Sequence, residues 1–258
     1  MRRPTLQECR SLLATCPPDE LPALLRTLTQ DPRAGVRALA ETHSRRVQRA
    51  AAENDRLLAL AARQRALRDS GVTAVVGVDE VGRGSLAGPV TAGAVILDPD
   101  VLIEGLDDSK RLPPHRREVV SALVWERAVA VCVAHAGPDE IDAIGIAGAV
   151  RLAMERAVHG LGCPVDHVLV DGNDARLPFP TTAVVGGDGT CACIAAASVV
   201  AKVRRDALMV ELDTVHPGYG LAVNKGYSTP EHLDTLRRLG PSGIHRLSFA
   251  PCSQPGLF

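Results

Sequence analysis

Aromatic residues are scarce in this chain: three Phe, two Tyr and one Trp among 258 residues. Any core must therefore be built from Val, Leu, Ile and Ala, and a nucleic-acid surface can hold few stacking platforms. Metal-binding cysteine pairs are also lacking. The seven cysteines (Cys9, Cys16, Cys132, Cys163, Cys191, Cys193 and Cys252) are odd in number and scattered, with no Cys-x-x-Cys among them. Neither a zinc site nor a disulfide framework is therefore signalled, and the pattern fits the reduced, mostly buried thiols of a cytoplasmic protein. No apolar run approaches the roughly 18 residues of a membrane span, and the first residues carry no apolar signal segment. The expectation is a cytoplasmic chain with no membrane partner. Repeats and low-complexity tracts are missing too.

What is present is a 46% hydrophobic content, which allows a sizeable core, and a net charge of −1 that favours no partner by itself. The distribution of charge says more. Residues 1–70 carry 13 basic against 8 acidic side chains, and residues 71–258 carry 16 against 22. A basic arm on an acidic body fits a nuclease whose acids hold metal, and equally an ordinary solvated helix pair.

The first 70 residues read as helices. Pro17-Pro18-Asp19-Glu20 opens one with acids in its first turn, and Leu21, Leu24, Leu25 and Leu28 give it an apolar face. Asp31-Pro32-Arg33 breaks the chain. A long helix follows, studded with Arg45, Arg46, Arg49, Arg56, Arg63, Arg65 and Arg68, and stops at Ser70-Gly71. From residue 72 the pattern turns to strands, predicted at Thr73–Val78, Pro89–Leu97, Ala128–Ala134, Val168–Val170 and Thr182–Val185, the first two forming an antiparallel pair. Helices are expected from Pro113 to Trp125, Pro138 to His159, about Cys193 to Leu212, and Pro230 to Leu239, with a Pro/Gly/Ser-rich tail over Gly240–Phe258. The fold class is thus α/β: a mixed sheet flanked by helices (residues 71–258) behind an all-helical N-terminal extension (residues 1–70).

Two predicted strands end in carboxylates, at Asp79-Glu80 and at Asp171. Sites in open α/β sheets gather at such ends. Adjacent strand residues point to opposite faces, so Asp79 and Glu80 share one spot only if the chain twists there, which the following glycines permit. Two adjacent anions call for a cation between them: a divalent metal, or Arg83. On the helix after Cys193, Ser198, Lys202 and Asp206 fall at i, i+4 and i+8, a polar stripe among Ala and Val. It is either a Lys202–Asp206 ion pair on a solvated face or a further carboxylate and a phosphate contact turned toward the sheet. Four carboxylates would form an oxygen-rich pocket suited to Mg²⁺ or Mn²⁺, and two ions about 3.5–4 Å apart could activate water at a phosphodiester.

The run Val78-Asp79-Glu80-Val81-Gly82-Arg83-Gly84-Ser85-Leu86-Ala87-Gly88-Pro89-Val90 closely resembles the opening motif of the type 2 ribonucleases H (ribonuclease HII). The resemblance continues in order through Asp108-Ser109-Lys110, Asp171-Gly172-Asn173, Ile194-Ala195-Ala196-Ala197-Ser198, Ala201-Lys202-Val203, Arg205-Asp206, Pro217-Gly218-Tyr219-Gly220, Lys225-Gly226-Tyr227 and His245-Arg246, about residues 72–252. The N-terminal segment is similar to the helical extension of some bacterial members. This resemblance implies a ribonuclease-H-like fold; a monomer acting in DNA replication and repair is the expectation. It implies cleavage of RNA in RNA–DNA hybrids, and incision at single ribonucleotides in duplex DNA. The implied products carry 3′-hydroxyl and 5′-phosphate ends, with divalent metal required. By motif match Asp79, Glu80, Asp171 and Asp206 become the catalytic metal-binding acids, Gly82, Arg83 and Gly84 the reader of the 2′-hydroxyl, and Tyr227 the contact at the RNA–DNA junction. Lys110, Ser198 and Lys202 are read as phosphate contacts, with structural hydrogen bonding as the alternative.

Thr190 stands where members commonly have a basic residue, and Ser85 where a proline is common. Asp188 is acidic and near the region, with a turn residue beside Gly189 as the favoured reading, and His245 with Arg246 reads as structural. Two rival readings are a hybrid-cleaving ribonuclease without single-ribonucleotide incision and a non-catalytic hybrid-binding protein. A dinucleotide-binding turn is disfavoured, because the element after Gly82–Gly88 reads as a strand, not a helix.

Overall fold

The computed structural model describes residues 3–173 and 176–253; the last five residues of the tail and the first two of the extension lie outside them. The chain divides into two compact units, residues 1–56 and 57–258.

In the first unit, Thr5 caps α1 (Leu6–Thr15), accepting from the Glu8 amide while the Glu8 carboxylate accepts from the Thr5 amide. α2 (Leu21–Thr29) follows, with Pro22 in its first turn. The break at residues 31–33 is held by Asp31, which takes two hydrogen bonds of 2.8 Å from the Arg33 guanidinium. That pairing holds the Asp31 carboxyl well below the usual carboxylate range. α3 (Ala34–Asp69) starts there. Cys9, Leu13, Leu28, Val36 and Ala40 form the core of this unit.

The second unit contains the end of α3 and a five-stranded sheet ordered β3-β2-β1-β4-β5. Its strands are β1 (Val75–Val81), β2 (Val90–Ile96), β3 (Ala130–Ala136), β4 (His167–Asp171) and β5 (Thr181–Val184). β1 pairs antiparallel with β2, and β2 with β3; β1 and β4, and β4 and β5, run parallel. The sheet is mixed, as the sequence pattern predicts. The predicted end of the first strand needs correction: pairing continues through Glu80↔Ala92 and Val81↔Thr91, so both acids lie inside β1.

The helices are α4 (Pro114–Arg127), α5 (Pro138–His159), α6 (Gly187–Thr190), α7 (Ala192–Val215), α8 (Leu221–Asn224), α9 (Pro230–Leu239) and α10 (Ala250–Ser253). α5, predicted as one helix, is interrupted at Gly145, which adopts φ 72°. The two sheet faces carry separate cores. Val75, Val95 and Leu169 pack with α7 and α4, whereas Val76, Val78, Val168 and Val170 pack with α5. This alternation along β1 is the period-2 geometry of a strand.

α7 approaches the sheet closely because both sides are small. A Cβ on Gly77 would lie 2.1 Å from the Cys193 carbonyl carbon, and one on Gly93 would lie 2.4 Å from the Ala197 carbonyl oxygen. The obstructing atoms are helix backbone, which cannot rotate away. Gly77→Ala is therefore expected to cost about 3 kcal/mol or more, since it forces α7 off the sheet. Thermal denaturation checks this against Gly243→Ala, where an added Cβ meets nothing within 4 Å and the melting temperature should barely move.

Candidate active site

Strand parity decides where the two adjacent acids go. Asp79 follows Val75 and Gly77 onto the α7 face and is only 5% exposed. Glu80 follows Val76 and Val78 toward α5, where it lines a cavity of about 410 Å³ with Arg83, Val150, Met154, Asp171 and Asn173. Because Val78 pairs with Val170, the parallel neighbour β4 brings Asp171 beside Asp79.

The third member of the cluster is Asp188. Among the described residues, the acidic groups whose ligand atoms come within 4.8 Å of one another are Asp79, Asp171 and Asp188. Asp188 sits in α6, and the preceding residue ties that turn to the sheet: the Gly187 amide donates to Asp171 Oδ1 at 2.7 Å. The reading of Asp188 as a mere turn residue is thus corrected. Asp206 does not join the cluster. It accepts from Lys202 Nζ at 2.7 Å and lies 3.6 Å from Arg117. The reason is axial distance. Ser198 and Asp206 share a helix face, but eight residues at 1.5 Å each set them about 12 Å apart. Only the Ser198 end lies over the acids.

The remaining predicted residues divide in the same way. Ser198 is buried and hydrogen-bonded, its Oγ 2.8 Å from Ser109 Oγ, and its hydroxyl also serves Asp79. Lys110 Nζ donates to Asp188 Oδ2 at 2.9 Å, while most of its side chain stays exposed. Lys202 is occupied by Asp206, which is the ion-pair alternative. Thr190 turns its hydroxyl back to the Gly186 carbonyl at 2.9 Å.

Burial raises the Asp79 pKa to about 8; the Ser198 hydrogen bond opposes the rise, and the charges of Glu80 and Asp171 add to it. Burial also raises that of Glu80, against the pull of Arg83, whose Nη1 lies 3.5 Å away. The hydrogen bond to Asp188 raises that of Lys110. Carboxylates held together at such cost form a site that a divalent cation relieves, and an all-oxygen donor set fits a hard ion.

The Gly82-Arg83-Gly84 turn follows directly. Gly82 has φ 84°, and a Cβ there would lie 2.1 Å from Arg205 Nε. Two fully buried arginines hold this turn. Arg246 donates to the carbonyls of Gly82 (2.7 Å), Arg83 (2.9 Å) and Gly88 (3.0 Å). Arg205 donates to the Pro89 and Lys225 carbonyls and to Ser85 Oγ, and stands 5.6 Å from the centre of the Tyr227 ring. The Leu86 amide donates to the Gly226 carbonyl at 2.7 Å, so the Tyr227 loop is latched to the Gly-rich turn. Tyr227 itself is half-buried.

Asp188 was nevertheless signalled in the sequence. β5 ends at Val184, and Asp188 follows after Val185-Gly186-Gly187, a third strand end with a carboxylate. Arg205 stood in a matching motif beside Asp206, but its bracing role depends on burial, which the motif does not show.

The chain matches the family model for Ribonuclease HII over residues 76–252 and that for the Ribonuclease HII N-terminal domain over residues 5–68. It is 52% identical over 200 residues to Ribonuclease HII of Moorella thermoacetica, covering 77% of this chain and 97% of that one. With Ribonuclease HII of Geobacillus kaustophilus it shares 43% identity over 251 residues, 97% and 96% of the two chains. The crystal structure of the ribonuclease H2 from Pyrococcus horikoshii OT3 shares its fold, with TM-score 0.61 at 24% identity over 70% of this chain and 96% of that one. The chain belongs to the ribonuclease HII family and is a hydrolase of the ribonuclease H type.

Proposed function

We propose that the protein is a metal-dependent endoribonuclease that cuts RNA in RNA–DNA hybrids and also incises at a single ribonucleotide in duplex DNA, leaving 3′-hydroxyl and 5′-phosphate ends. The observation that carries this reading is the convergence of Asp79, Asp171 and Asp188 next to a braced Gly-Arg-Gly turn. Those three acids supply the ligands, and Glu80 adds a fourth carboxylate from the cavity side. Bound Mg²⁺ or Mn²⁺, as one ion or a pair, supplies an activated water and stabilises the leaving oxygen.

The chain's own residues do the rest. The turn at residues 82–84 offers backbone groups to the 2′-hydroxyl, the one feature that separates RNA from DNA at a given position. Tyr227 stacks at the junction with the deoxyribonucleotide. Lys110, at the exposed rim beside Asp188, meets a backbone phosphate. Exposed Arg45, Arg46 and Arg49 of α3 add sequence-independent affinity that falls steeply with salt. The protein works as a monomer in the cytoplasm, a compartment that suits its seven free cysteines.

A labelled duplex holding one ribonucleotide tests this beside a continuous hybrid and an all-DNA duplex, under Mg²⁺ and Mn²⁺. Both ribonucleotide-containing substrates should be cut and the all-DNA duplex spared. Cleavage of the continuous hybrid alone would replace this reading with the narrower hybrid-only activity.

A further inference from the structure

Two buried histidines lie outside the acidic cluster and connect the C-terminal segment to the loop bearing Tyr227. His232 is 0% and His245 2% exposed. Their Nε2 atoms are 3.1 Å apart. His232 Nδ1 lies 2.9 Å from the Tyr227 carbonyl oxygen, and His245 Nδ1 lies 3.0 Å from both the Ser242 amide nitrogen and Ser242 Oγ.

The two ends fix the polarity of this relay. A backbone amide only donates, so His245 Nδ1 is a bare acceptor; a carbonyl only accepts, so His232 Nδ1 carries its proton. A neutral ring holds one N–H. His245 therefore carries its proton on Nε2 and donates it to the bare Nε2 of His232, and both ends require the same direction. Burial keeps the rings neutral: it pushes His245 down to about 4 and lowers His232 as well.

The relay thus runs from the Ser242 amide through His245 and His232 to the Tyr227 carbonyl. Arg246, the residue next to His245, grips the carbonyls of Gly82, Arg83 and Gly88. Two adjacent residues reach both elements proposed to read the substrate.

We propose that His232 and His245 are positioning residues that set Tyr227 against the Gly82–Gly84 turn, and so govern selectivity for the ribonucleotide–deoxyribonucleotide junction. This rests on the reading of Tyr227 as the junction contact. The histidines touch no substrate; they act through the backbone of Tyr227.

The test measures kcat and KM for wild type, His232→Phe, Tyr227→Ala and the double variant, on the single-ribonucleotide duplex and on a continuous hybrid. His232→Phe should raise KM for the single-ribonucleotide duplex about tenfold, the scale of one lost hydrogen bond. Its kcat should stay within about twofold, and the continuous hybrid should change less. The effect should vanish in the Tyr227→Ala background. His232→Asn, with an amide donor near the place of Nδ1, should recover most of the loss. A KM effect of Tyr227→Ala with none from His232→Phe, or a His232→Phe effect that persists without the Tyr227 ring, overturns the relay while sparing the junction reading. An unchanged KM for Tyr227→Ala removes the junction reading and the relay's role with it. Nitrogen-15 spectra of the wild-type protein give a readout independent of variant folding: His232 should be the Nδ1–H tautomer and His245 the Nε2–H tautomer. The opposite tautomer at His232 overturns the proposal.

Discussion

Asp188→Asn should reduce kcat by at least about a hundredfold with either Mg²⁺ or Mn²⁺, whereas Asp206→Asn should leave it within a few-fold. The two substitutions are the same chemically and differ only in place. Asp188 supplies one of three carboxylates whose oxygens gather within 4.8 Å. Its loss removes both a ligand and a negative charge that the cation requires. The amide also gives up the pairing with Lys110 Nζ and frees that ammonium to compete with the metal for the remaining acids. Asp206, bound to Lys202 and near Arg117, holds a polar patch farther along α7. Calorimetric titration with Mn²⁺ separates the causes: Asp188→Asn should weaken binding, and Asp206→Asn should not. Equal loss of activity and metal affinity in both would place Asp206 in the site and refute the geometric assignment.

This contrast marks how far the sequence could be read. The valine-rich run into Asp79-Glu80 gave the central strand, and the antiparallel pairing with β2 followed from the short connection through Ala87-Gly88-Pro89. The neighbouring carboxylate at the end of β4 also followed, because strand ends collect functional groups. The fourth acid did not. A helical stripe shows which residues share a face and is silent about which end of that face lies over the sheet. Asp206 lay on the right face at the wrong height, while Asp188 followed a third strand end within Gly186-Gly187-Asp188-Gly189, a pattern that equally describes a turn. The buried arginines were legible only as members of matching motifs, Arg246 with His245 as structural; their partners were not. Arg205 and Arg246 bond almost wholly to backbone carbonyls of residues 82–89 and Lys225, and no side-chain pattern encodes a carbonyl partner.

Asp79→Asn should abolish cleavage and at the same time stabilise the metal-free protein at alkaline pH. Burial lifts the Asp79 carboxyl from 3.8 to about 8, so between these values the folded state keeps a proton that the unfolded chain has released. For a group whose folded pKa is raised, the stabilising contribution is full below about pH 4 and lost as pH climbs through about 8. Between pH 5.5 and 8.5 the chelated wild-type protein should therefore lose on the order of 3 kcal/mol more stability than Asp79→Asn, whose amide has no proton to release. Metal reverses the sign. Its binding requires the carboxylate and expels the proton, so added Mg²⁺ should restore wild-type stability most strongly near pH 8 and do little for the variant. Urea denaturation at pH 5.5 and 8.5, each with chelator and with Mg²⁺, checks all four states. Parallel pH dependence in wild type and variant would mean that Asp79 is already ionised in the metal-free fold, with Lys110 or Arg83 as its counter-charge. The expected divergence would mean that this acid is held in readiness at the expense of stability, and that the cation completes the fold as well as the chemistry.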